Sequence, residues 1–204
     1  MRRSRWFLPE TPDVLGVLQR QLALTIDGVD AFAAWAAGGD PAAAERLREA
    51  DRQGDLAKRE LLNVLRAALV TPLEPEDVFT LSRGLDRILN YSRDLVNEAQ
   101  AMDSPPDAGI AQMARLIADA MRQIDAAVGH LGSDPDAATS SADAAIAKVR
   151  ETERAYYDGM AGLLSVADRT ERIAQRELYR RCARIGEVVA DVAERVVYAV
   201  VKQS

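Results

Sequence analysis

The sequence has one cysteine, Cys182, and one histidine, His130, in 204 residues. A lone thiol excludes an intramolecular disulfide and a thiolate metal cluster, and it fits a reducing cytoplasm. A lone histidine removes a ferritin-like diiron centre, which draws Glu-x-x-His from two helices. Aromatic residues make up only 5% of the chain, and beside so much Ala and Leu this disfavours a sheet. No apolar run approaches the roughly eighteen residues needed to cross a bilayer. The opening Met1-Arg2-Arg3-Ser4-Arg5-Trp6-Phe7-Leu8-Pro9 has the charged start of a signal peptide without its apolar middle. No glycine-rich phosphate loop follows a strand, and no Gly-x-Ser-x-Gly occurs. A Ser-His-Asp arrangement would have to be built around His130. An enzyme is therefore not expected. The net charge of -6 and pI near 5.0 lack the basic face that a nucleic-acid partner requires.

What remains is a helical sequence, 48% hydrophobic and long enough to bury a substantial core. Gly and Pro divide it into six stretches. Thr11-Pro12 opens the first and Gly38-Gly39 closes it. Asp40-Pro41, an N-cap followed by proline at the first helical position, starts a second that ends before Thr71-Pro72. Pro75-Glu76-Asp77 starts a third, with acids at the positive end of the dipole, running to about Met102. After the break at Ser104-Pro105-Pro106, a fourth helix runs from about Asp107 to His130. A fifth starts at Asp134-Pro135 and reaches about Leu164, and a sixth runs from about Asp168 nearly to the C-terminus. The order short, long, long occurs twice. The expectation is an all-α protein of six helices forming two pseudo-repeated three-helix bundles. It is one domain over 1–204, with halves at about 10–103 and 106–202.

Acidic side chains recur within this repeat. Asp51 and Asp55 are followed by Asp86 and Asn90; about a hundred residues on, Glu153 and Tyr157 are followed by Glu187 and Asp191. Residues four apart stand one above the other on a helix, so each pair presents oxygen ligands on one face. Stacked carboxylates repel weakly unless a cation is chelated between them, which makes a metal site at Asp51, Asp55, Asp86, Asn90, Glu153, Glu187 and Asp191 one candidate. Acidic pairs at this spacing are no commoner than random placement gives, so an ordinary solvated face is the other. The apolar seams run through Leu47, Ala50, Gly54, Ala57, Leu61, Val64 and Ala68 in the second helix. In the third they pass Val78, Leu81, Leu85, Ile88, Leu95 and Ala99, and in the last Leu178, Cys182, Ile185, Val189, Val192, Val196 and Ala199. These seams leave the acids outside or beside the core, facing a surface or groove. Cys182 on its seam is expected to be a small buried hydrophobe, and His130 to sit at a helix end. Arg83, Arg87 and Arg93 either hold phosphate or pair with acids on a solvated face. Arg2, Arg3 and Arg5, with Trp6 and Phe7, either touch a partner or the anionic leaflet, or Trp6 and Phe7 pack the end of the first helix and leave the arginines free.

Several strings, in order, resemble the PhoU-like family of Pit accessory proteins. They are Phe7-Leu8-Pro9-Glu10-Thr11-Pro12-Asp13, then Ala50-Asp51 through Asp55, then Val70-Thr71-Pro72-Leu73-Glu74-Pro75-Glu76-Asp77-Val78. Gly84-Leu85-Asp86-Arg87-Ile88-Leu89-Asn90-Tyr91 follows, and last come Asp191-Val192-Ala193-Glu194 and Val200-Val201-Lys202. The resemblance implies a PhoU-like pair of three-helix bundles whose acidic motifs hold divalent or trivalent metal ions. It also implies a non-enzymatic cytoplasmic accessory protein regulating an inorganic phosphate transporter of the Pit type, meeting the inner face of the membrane through that partner. Homo-oligomerisation stays open. The chain departs from the family pattern where Asn90 replaces an aspartate, where Tyr157 takes the place of one beside Asp158, and where Ala183 supplies no carboxylate. A helical-bundle adaptor with no metal or phosphate role is the alternative, and a membrane-surface binder is a third.

Overall fold

The computed structural model describes residues 13–68, 70–71 and 73–203, the last without its side chain. Among these residues there are six α-helices and no strand. They are α1 (Val14–Ala36), α2 (Pro41–Ala67), α3 (Pro75–Ala101), α4 (Ala108–His130), α5 (Pro135–Gly162) and α6 (Arg169–Gln203), with a 3₁₀ turn over Leu163–Ser165. The all-α expectation holds, with its six helices.

Side-chain caps set most of the starts. Asp13, Asp40, Asp107, Asp134 and Asp168 each accept a hydrogen bond from a first-turn amide, at 2.8–3.0 Å. Pro41 and Pro135 follow two of these caps, where the missing N–H costs nothing. The α1–α2 and α4–α5 corners are built alike. Each has a glycine in the left-handed region, Gly39 at φ 73° and Gly132 at φ 84°, just before the Asp-Pro start.

Within the first half α1, α2 and α3 all touch one another, and α4, α5 and α6 do the same in the second. The halves meet through α1 against α4 and α3 against α6, whereas α2 and α5 do not meet. Four central helices thus carry a continuous core, with α2 and α5 flanking it on separate sides. The predicted seams of α3 and α6 are buried along their length. In α2 the buried run ends at Leu61, and Val64 and Ala68 are only half-buried. Cys182 lies fully inside, and burial pushes its thiol pKa well up, so it is an inert core residue. His130 occupies the last turn of α4 as expected.

Each half seats one large side chain of its third helix against glycines of its first two. A Cβ on Gly28 would come within 2.3 Å of Leu89 Cδ2, and one on Gly54 within 2.7 Å of Leu89 Cδ1. In the second half, a Cβ on Gly109 or Gly159 would lie 2.0 or 2.2 Å from Tyr179. The Tyr179 ring cannot retreat. It is buried, and its hydroxyl donates to the Asp107 carboxylate at 2.9 Å. Gly159→Ala is therefore expected to lower stability by about 1–2 kcal/mol through overpacking, despite the better helix propensity of alanine. Urea unfolding measures this, and a stabilised variant would contradict the close approach.

Candidate functional site

The first-half acids converge where α2 faces α3. Asp51 departs from the outward orientation expected from the seam. It lies one turn after Leu47 and one before Gly54, on the buried edge of α2, and its side chain is 7% exposed. A buried carboxylate needs a partner, and Arg93 of α3 supplies it through Nη1 at 2.5 Å while also reaching Asp94 at 2.8 Å. Burial raises the Asp51 pKa, Arg93 opposes the rise, and the charges of Asp55 and Asp86 add to it. Asp86 is 12% exposed and accepts from Lys58 Nζ at 2.6 Å. Asn90 turns its amide N–H₂ to the Asp86 carbonyl oxygen at 2.8 Å, within its own helix. Asp55 is half-buried and, among the described residues, has no hydrogen bond or ion pair.

In the second half Glu153, Glu187 and Asp191 are exposed, and Tyr157 lies edge-on to Tyr156 with centroids 5.4 Å apart. Glu153 and Glu187 line a cleft of about 450 Å³ between α5 and α6. The same cleft is lined by Arg180 and Arg184 of α6 and Arg87 of α3. Asp191 stands 4.0 Å from Arg87 Nη1. The sequence signals singled out Arg87 but not Arg180 or Arg184, because helical spacing identifies a face and not what faces it from another helix. Of the other arginines, Arg83 lies over the Phe79 ring and Arg93 is engaged by Asp51 and Asp94. Arg2, Arg3, Arg5 and Trp6 lie outside the described residues, as do the strings before Asp13 and Pro72 of the Thr71-Pro72 turn.

A hard divalent cation takes six or more oxygens at about 2.0–2.6 Å. Among the described residues, no three His, Cys, Asp or Glu side chains gather closely enough to hold one. Of the first-half candidates, the two most buried carboxylates, Asp51 and Asp86, are already neutralised by Arg93 and Lys58. As arranged, these side chains do not fit a preformed metal centre. No described helix is long and apolar enough to cross a membrane.

No family model and no curated protein matches the sequence. Solved structures do match in shape. A PhoU-like protein from Shewanella oneidensis MR-1 is 15% identical with a TM-score of 0.77, covering 92% of this chain and 99% of its own. A putative PhoU-like phosphate regulatory protein from the same organism is also 15% identical with a TM-score of 0.77, covering 93% of this chain and 100% of its own. The phosphate transport system regulatory protein PhoU from Streptococcus pneumoniae is 13% identical with a TM-score of 0.74, covering 94% of this chain and 95% of its own. The fold is PhoU-like.

Proposed function

We propose that this chain is a non-enzymatic regulator of inorganic phosphate transport that docks on a Pit-type transporter at the cytoplasmic face of the membrane. The observation that carries the proposal is the end-to-end likeness of the six-helix fold to proteins described as phosphate regulatory, extending over more than nine-tenths of both chains. The strings that resemble Pit accessory proteins favour the Pit type. The net charge of -6 favours a protein partner over direct attachment to an anionic bilayer. Metal at Asp51, Asp55, Asp86 and Asn90 enters only as an exchange, in which a cation displaces Lys58 and Arg93 from their carboxylates. Glu153, Glu187 and Asp191 would need a comparable rearrangement of the arginines around them.

Co-expression with a Pit-like transporter followed by affinity capture tests the proposal. The expected result is co-purification in detergent together with altered phosphate uptake when the gene for this chain is deleted. No association and unchanged uptake would defeat it and favour the structural adaptor. Elemental analysis of chelator-free protein tests the metal exchange separately. Stoichiometric metal that disappears in Asp51→Ala/Asp55→Ala supports it, and metal-free protein removes it while leaving the docking proposal standing.

A further inference from the structure

The cleft between α5 and α6 gathers charged groups that the fold itself does not satisfy. Arg180, Glu153 and Glu187 all line it, yet among the described residues none of the three has a hydrogen bond or ion pair. Arg87 and Arg184 enter the same space beside the Tyr91 ring. Their guanidinium carbons lie 5.6 and 4.9 Å from its ring centroid. A cation held against an aromatic ring still has N–H donors for a ligand, since a guanidinium carries five of them. Among the described residues Arg87 has one carboxylate neighbour, Asp191, and that contact is loose at 4.0 Å. The Tyr91 hydroxyl has its pKa lowered chiefly by hydrogen bonding from Arg87, then Arg184, against partial burial, with the charges of both arginines adding less.

Three guanidinium groups from two helices thus converge on one cavity, against two carboxylates. Two glutamates fall short of the oxygens a hard cation needs, and they share their space with groups that never lose their charge. A phosphoryl group suits the set better, because each arginine can offer paired donors that match its oxygens. The volume of about 450 Å³ leaves room beyond a single phosphate, bordered by Tyr156 and Tyr157. We propose that this cleft binds a dianionic phosphoryl group, either as inorganic phosphate or as the end of a small phosphomonoester, through Arg87, Arg180 and Arg184. The site stands on the cleft alone and holds whether or not the chain docks on a transporter.

Calorimetric titration of the full chain at low ionic strength, with inorganic phosphate and separately with adenosine 5′-monophosphate as probes, tests it. The expected result is saturable one-to-one binding of at least one probe. Preference for phosphate would assign the free anion, and preference for the nucleotide would assign a phosphomonoester. Arg180→Gln/Arg184→Gln should weaken binding about tenfold or more, the usual effect of losing charge-assisted hydrogen bonds. Glu153→Gln/Glu187→Gln should tighten it by removing like charge. All four side chains are exposed, so both variants should melt like the parent chain. No saturable binding of either probe at millimolar concentration, parent-like affinity in the arginine variant, or weaker binding in the glutamate variant would each overturn the proposal.

Discussion

Replacing Arg195 and Lys202 together with methionine is expected to destabilise the fold by about 3–5 kcal/mol, the loss that follows when a buried charge is stripped of its partners. The charge is Asp77, in the first turn of α3, with a side chain 2% exposed. Arg195 of α6 donates to it from Nη1 at 2.9 Å and reaches Thr80 Oγ1 from Nη2 at 3.2 Å. Lys202 approaches the second oxygen at 3.3 Å and also pairs with Glu74. The positive end of the α3 dipole softens the charge but cannot replace two cations. Either single substitution should cost less, since the other cation remains. Adding Asp77→Leu to the double variant should recover much of the loss, because a buried ionic network exchanged whole for apolar groups is often nearly neutral. Urea unfolding of the parent and the four variants measures this. A double variant within about 1 kcal/mol of the parent would show that Asp77 does not depend on α6.

Arg93→Leu should cost about 2–3 kcal/mol at neutral pH, for a related reason with a different pH signature. It leaves Asp51 buried beside the negative charges of Asp55 and Asp86, without the one group that pulls its pKa down. The Asp51 pKa is already raised in the folded chain, so its ionised form weighs against folding. That cost is absent below the ordinary carboxylate value and grows as pH rises through the folded value. Removing Arg93 moves the folded value higher still. The stability difference between variant and parent should therefore be largest at pH 7 and shrink as pH falls toward the ordinary aspartate range. Urea midpoints of both proteins across pH 4–7 measure it, and a difference independent of pH would assign the loss to packing.

Much of the architecture was legible because it rests on local chemistry. Asp40-Pro41 and Asp134-Pro135 marked helix starts, and the three- and four-residue steps from Leu178 to Ala199 marked the buried face of α6. The groups that neutralise each acid were not legible. Asp77 read as an ordinary dipole-complementing acid, yet its cation lies 118 residues away on α6. Asp51 sits at the margin of its stripe, where periodicity alone does not decide between solvent and core, and the outcome depends on a long arginine arriving from α3. Arg180 and Arg184 gave no signal in one dimension. Only the packing of α5 on α6, with α3 alongside, puts them in one cleft with Arg87, Glu153 and Glu187.

The tie between Asp77 and α6 also bears on the order in which the protein can be made. During synthesis the first three helices emerge well before the residues that complete the α3 terminus, and until then an ionised carboxylate at that point has only water and Glu74's neighbourhood around it. Before α6 docks, the part of α3 it covers faces solvent, so Asp77 keeps its hydration, and α6 must bring both cations as it takes that water away. The start of α3 is thus completed only when α6 packs on it, and that contact fastens the second half of the chain to the first.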